Sequence, residues 1–195
     1  YSDGVEYFQT ENFLAEIHAG LPGSGSPTAE FIISFTPPPE GGKVWAIDRE
    51  EKILSNQPSF AQYTQALVQK YGEPTATSRQ GAALVWDFPA GSSGCLRDPN
   101  DPAFPYFRPR HDQDLDFRLT FLQRSGSVPS DLSQCANQLN YTLGTISGSV
   151  VDTFNAILID VPAYIRTSEA ASEVVKALEE EAIRKREGAA QTPRL

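Results

Sequence analysis

Proline and glycine divide this chain into short pieces, and that punctuation limits what it can fold into. The 195 residues include 15 prolines and 14 glycines, and many of them cluster. The run Gly20-Leu21-Pro22-Gly23-Ser24-Gly25-Ser26-Pro27 can continue neither a helix nor a strand. Pro37, Pro38, Pro39, Gly41 and Gly42 turn the chain a second time. Between these breaks lie short apolar runs. Residues 11–19 alternate loosely, with Phe13, Ala15 and Ile17 on one face. Residues 30–36 carry Phe31, Ile32, Ile33 and Phe35, and Val44-Trp45-Ala46-Ile47 follows the prolines. Three strands joined by short polar turns predict an antiparallel meander.

The clearest helix spans 59–71. Ser59 can cap it, and Gln62, three residues on, completes a capping box. Phe60, Tyr63, Leu67 and Tyr71 form a single helical stripe. Gly72 suits the left-handed stop and Pro74 prevents resumption. Beyond it, 83–88 and 115–122 read as strands. The second alternates cleanly, with Leu115, Phe117, Leu119 and Phe121 on one side. Between them, 89–114 is long and irregular, with Pro99, Pro102, Pro105 and Pro109, and loops of that length are usually functional or stapled. Residues 141–151 and 154–161 predict a further strand pair, joined near Val151-Asp152-Thr153. A last helix is expected to start near Thr167 or Ser168. It buries Ala171, Val174, Val175, Leu178 and Ala182, and stops at Gly188.

The order is therefore β-β-β-α-β-β-β-β-α. It predicts an α+β fold: a single, mostly antiparallel sheet of about six to seven strands with two helices packed on one face. Residues 1–188 form one domain, and 189–195 a frayed tail.

Charge and cysteine usage restrict the setting. Asp and Glu number 25 against 16 Lys and Arg, a net charge of −9, which repels nucleic acid and anionic lipid. The longest interior apolar run, 156–161, is broken by Asp160, so no stretch spans a bilayer. Methionine is absent even at position 1, which fits removal of a leader or derivation from a longer precursor. The two cysteines, Cys95 and Cys135, lie in no CxxC motif and near no clustered histidine, against zinc or a redox dithiol. Pairing them would close a loop of about 40 residues, worth about 4 kcal/mol by chain entropy. A disulfide is favoured over two separate buried thiols, and with it an oxidising compartment, periplasmic or secreted.

The helix ending Lys70-Tyr71-Gly72-Glu73-Pro74, the strand holding Trp86 and the later cysteine pair resemble a pattern in uncharacterised secreted bacterial proteins. There a strand similar to Gly42-Lys43-Val44-Trp45-Ala46-Ile47 also precedes the helix. The resemblance implies a compartment and a fold, and carries over no activity.

Catalytic signatures are missing from the sequence. No Gly-x-Ser-x-Gly elbow, P-loop or dinucleotide fingerprint occurs. Gly23-Ser24-Gly25 and Gly91-Ser92-Ser93-Gly94 read as turns. Of the two histidines, His18 reads as a surface residue, while His111 could serve a hydrolase with Asp112 or Asp114, the alternative function. Asp112, Asp114 and Asp116 alternate as a calcium loop begins, but Phe117 and Gln123 stand where an EF-hand needs Gly and Glu. Neither a metal nor a cofactor is expected. Trp45 and Trp86 read as core. Phe104, Tyr106 and Phe107 lie in the proline-rich segment and are assigned to partner binding. The expected function is a non-catalytic extracytoplasmic module that binds another protein, as an envelope-assembly subunit or an inhibitor. Its oligomeric state is left open.

Overall fold

The computed structural model describes residues 12–22, 28–92, 94–95, 97–98, 101–105, 134–146 and 149–189. Among them, strands β1 (Glu16–Leu21), β2 (Ala29–Phe35) and β3 (Val44–Lys52) form the expected meander. Helix α1 (Phe60–Tyr71) follows, then β4 (Ala76–Ser78) and β5 (Ala83–Phe88). A short pair, β6 (Arg97–Asp98) and β7 (Asp101–Pro105), precedes the long hairpin β8 (Asn137–Ile146) and β9 (Val150–Ile159). Helix α2 (Val161–Ala189) ends the described chain. Seven strands make one antiparallel sheet in the order β1-β2-β3-β9-β8-β5-β4. The α+β class and the strand count agree with the sequence reading.

Helix α1 forms where the local chemistry demands it. The Ser59 hydroxyl accepts from the Gln62 backbone N–H at 3.3 Å, and the Gln62 side chain accepts from the Ser59 N–H at 3.0 Å. At the other end Gly72 takes φ 82°, where a side chain would be strained, and its N–H reaches the Val68 carbonyl at 2.8 Å.

The helices do not share a face, which corrects the expectation that both pack on one side. Leu67 of α1 packs with Leu84, Trp86, Leu139, Phe154 and Ala156. The start of α2 packs Val161, Tyr164 and Ile165 with Ile157, Ile159 and Trp45. On β9, Phe154 and Ala156 point one way while Ile157 and Ile159 point the other, because a strand alternates its side chains. Cys95 and Cys135 are disulfide-bonded and buried within the α2-side cluster.

Three boundaries also move. Helix α2 begins at Val161, six residues before the earlier expected start, since Asp160 caps it: its carboxylate accepts from Ala163 N–H at 3.0 Å. Pro162 fits there, because a first-turn N–H has no helical partner to lose. The helix then continues through Gly188 to Ala189. The turn between β8 and β9 lies before Val150, so Val151 is a fully buried strand residue. Within 89–114, read as irregular throughout, the chain forms β6 and β7, and 115–122 lies outside the described residues.

The β8–β9 ladder shifts register between Gly144 and Thr145. A Cβ built on Gly144 would collide with the Thr153 hydroxyl opposite. Gly144→Ala is expected to cost about 1–3 kcal/mol by overpacking. Adding Thr153→Ala should recover most of that loss in urea unfolding. A double variant no more stable than Gly144→Ala alone would place the strain elsewhere.

Candidate functional site

Helix α1 covers only part of its face of the sheet. It rests on β5, β8 and β9, and among the described residues no helix lies over the β1-β2-β3 half beside it. Antiparallel register aligns the side chains there. Ile17 on β1 stands opposite Ile33 on β2, Ile33 opposite Ile47 on β3, and Ile47 opposite Leu158 on β9. The row continues to Leu139 on β8, which is buried under α1. Outside α1, Ile17 is 41%, Ile47 36% and Leu158 45% exposed. Four aliphatic side chains thus lie in one apolar line on a hydrogen-bonded surface, three of them exposed and Ile33 half-buried.

One row along, toward Lys52, lies a polar and aromatic strip. The Arg49 guanidinium stands over the rings of Phe31 and Phe154, 5.5 and 5.2 Å from their centroids. It also pairs with Glu51. Tyr63 packs on Phe154 with ring centroids 5.7 Å apart, and Tyr71 lies 6.1 Å from Tyr141. Burial and the Glu51 charge push the Tyr63 phenol up to about 12, with Arg49 opposing. Burial also raises Tyr141, helped by its hydrogen bond with Tyr71. For Tyr71, burial pushes upward, but hydrogen bonds with Lys70 and Tyr141 and the charges of Lys70 and Arg49 outweigh it and hold the phenol below its usual value. This strip borders the open row on the side toward Lys52.

At the other end, Val44, Ile47, Asn137 and Leu158 line a shallow hollow of about 150 Å³. Small-molecule sites usually enclose about 300–1,000 Å³, so this one has room for a single side chain. It suits an anchor residue from a macromolecule.

The opposite face is a poorer candidate. It carries Asp48, Asp87, Gln138 and Asn140, all buried, with the Gln138 amide donating to Asp87 at 3.2 Å. The Asn155 amide bonds Asp48 from the neighbouring strand. Among the described residues these side chains are all buried away from solvent.

The residues singled out from sequence disperse. Cys95 and Cys135 are buried structural groups. Trp45 and Trp86 are core, as expected: Trp45 stacks on Tyr164 with centroids 4.8 Å apart, and the Trp86 indole donates to the Gly72 carbonyl at 2.8 Å. His18 is exposed and bonded to Glu16 at 2.9 Å. The turn reading holds at Gly91, whose φ is 86°, and Ser92 N–H bonds the Pro89 carbonyl at 3.2 Å. Phe104 falls in β7, whose backbone lies beside β4 and β5, at the edge of the sheet farthest from β1. Tyr106, Phe107, His111, Asp112, Asp114 and Asp116 lie outside the described residues. Among the described residues no group of three or more His, Cys, Asp or Glu could hold a metal, and no helix is long and apolar enough to cross a membrane. Comparison with protein-family models, curated proteins and solved structures finds no match.

Sequence reasoning missed the open row because its members come from four separate strands. Ile17 and Ile33 were visible as apolar strand residues. That they line up, and that α1 stops short of them, is a property of register and helix placement.

Proposed function

We propose that this chain is a protein-binding module of an extracytoplasmic compartment, periplasmic or secreted, and that the open row beside α1 is where it meets its partner. The alignment of Ile17, Ile33, Ile47 and Leu158, outside the cover of α1, carries the reading. A rigid apolar strip bordered by an aromatic-held arginine resembles the centre of a protein interface, where aromatic residues and arginine are enriched. The strands already hold these side chains in place, so little conformational entropy is lost on docking. The hollow beside Leu158 supplies a pocket for one anchoring side chain. The Cys95–Cys135 bond supports the compartment, since such bonds persist where thiols are oxidised. The net charge of −9 favours a partner with a basic face.

Substituting Ile47 and Leu158 together with Ser tests the reading. Cross-linking the protein in its native setting should recover a defined complex with wild type and lose it with the double variant. The unfolding midpoint should move little, because both side chains already face water. A marked fall in stability with the complex intact would make the row part of the fold and not of an interface.

A further inference from the structure

Three aromatic rings close on one another at the C-terminal end of α1. Tyr71, the last residue of the helix, has its ring centroid 5.6 Å from Trp86 and 6.1 Å from Tyr141. Trp86 meets Tyr141 edge to face at 6.1 Å, and Tyr141 continues to Phe154 at 5.8 Å. Trp86 is buried, whereas Tyr71 and Tyr141 are both half-buried. The two phenols are also hydrogen-bonded to each other. The Lys70 ammonium stands 4.9 Å from the Tyr71 ring centroid and bonds its hydroxyl. Burial works against ionisation of Tyr71, but these two bonds and the nearby cations outweigh it and hold the phenol below its usual value. Burial and the shared bond raise Tyr141, so Tyr141 is the donor and the Tyr71 oxygen the acceptor. Packing alone does not call for this meeting of hydroxyls, because phenylalanine at either position would fill the same space.

We propose that Tyr71 and Tyr141 form a modification site, joined into a dityrosine cross-link by one-electron oxidants such as small radicals or high-valent metal complexes. Tyr71 gives up an electron first, because a phenol stabilised toward its anion is the easier one to oxidise, and its proton passes to water. Tyr141 gives up the second electron and its own phenolic proton. The two phenoxyl radicals then couple through one ortho carbon of each ring. The hydrogens displaced from those carbons return to the oxygens, so both phenols are restored. The balance is two electrons to two equivalents of oxidant, two protons to water and one new carbon–carbon bond. Tyr141 is held on β8 between Trp86 and Phe154. Tyr71 ends α1 beside Gly72, where the chain leaves the helix, so Tyr71 is the ring free to close the remaining gap. Tyr63 is a contrast within the same helix: its ring packs on Phe154, and burial with the Glu51 charge pushes its phenol up to about 12. The product ties the end of α1 to β8 and encloses the loop already closed by Cys95 and Cys135, so it constrains the unfolded chain as a second disulfide does.

The test treats the full, disulfide-bonded chain at low concentration with hexachloroiridate(IV), an outer-sphere one-electron oxidant, and recovers the monomer by gel filtration. The monomer is expected to lose the mass of two hydrogen atoms and to gain the blue fluorescence of dityrosine. Proteolysis should then yield one cross-linked peptide pair holding Tyr71 and Tyr141, and the urea midpoint of the treated chain should rise. Tyr71→Phe and Tyr141→Phe should each abolish the cross-link, while Tyr63→Phe should leave it unchanged. Should the circular dichroism of Tyr141→Phe show a misfolded chain, Tyr71→Phe, at the half-buried end of the helix, decides the matter alone. A cross-link that survives Tyr71→Phe, or one mapped to another pair of tyrosines, overturns the proposal. So does oxidation that consumes Tyr71 or Trp86 without forming the bond, or cross-linking found only between separate molecules.

Discussion

Replacing Cys95 and Cys135 together with Ala is expected to lower the stability of this domain by about 2–5 kcal/mol, a large share of the ~5–15 kcal/mol that holds an ordinary domain folded. Two effects act in the same direction. Cutting the bond frees a loop whose ends are separated by 40 residues, and the unfolded chain gains that entropy. The sulfurs also sit inside a cluster with Trp45, Ile159 and Tyr164, so truncation leaves unfilled space. Urea unfolding of the oxidised wild type against the double variant measures the loss. The slope should rise as well as the midpoint fall, because a chain without the cross-link exposes more surface on unfolding. Reducing the wild type without substitution separates the two contributions: it removes the constraint and keeps the side-chain volume. A loss under about 1 kcal/mol in the double variant would mean that the bond is incidental to the fold.

Leu67→Ala is expected to cost about 2–5 kcal/mol. Leu67 is the buried residue of α1, and it packs against β5, β8 and β9 together through Leu84, Trp86, Leu139 and Phe154. Removing its branch leaves a gap that the strands cannot close, because their spacing is set by the ladder hydrogen bonds. A change below about 0.5 kcal/mol, the range of a surface substitution, would show that α1 does not hold this face. The variant also bears on the interface. If α1 borders the binding surface, Leu67→Ala should weaken partner binding in addition to stability, through a residue the partner never touches.

Helix α1 was legible in the sequence because cap, stripe and stop lie within a few residues of one another: Ser59, Gln62, Leu67, Gly72 and Pro74 act locally. The strands were legible as alternation. What could not be read was which face each helix takes. Strand β9 is apolar on both sides, with Phe154 and Ala156 toward α1 and Ile157 and Ile159 toward α2. A pattern with two apolar faces does not say what covers either. The start of α2 was missed for a different reason. Pro162 is a breaker inside a helix but not in its first turn, and only the Asp160 carboxylate bonded to Ala163 N–H shows which position it occupies. Strand β4 has three residues, Ala76, Thr77 and Ser78, with no aromatic or aliphatic side chain large enough to mark it. The open row belongs with the faces: each isoleucine was visible, and their shared line was not.

The strand order also governs when this protein can finish folding. Strand β3 has its far neighbour in β9, and the Asp48 carboxylate meets the Asn155 amide across 107 residues of chain. The N-terminal meander is local and can pair early, but one of its edges must wait for nearly the whole chain. Contacts this distant in sequence form slowly, since loop closure has to precede them. During synthesis, the meander therefore presents an unpaired edge at β3 and a bare isoleucine surface, the two features that favour association with other chains. A nascent chain ending before Val150 should be the most aggregation-prone length, and the C-terminal hairpin, inserted between β3 and β5, is the step that pairs that edge.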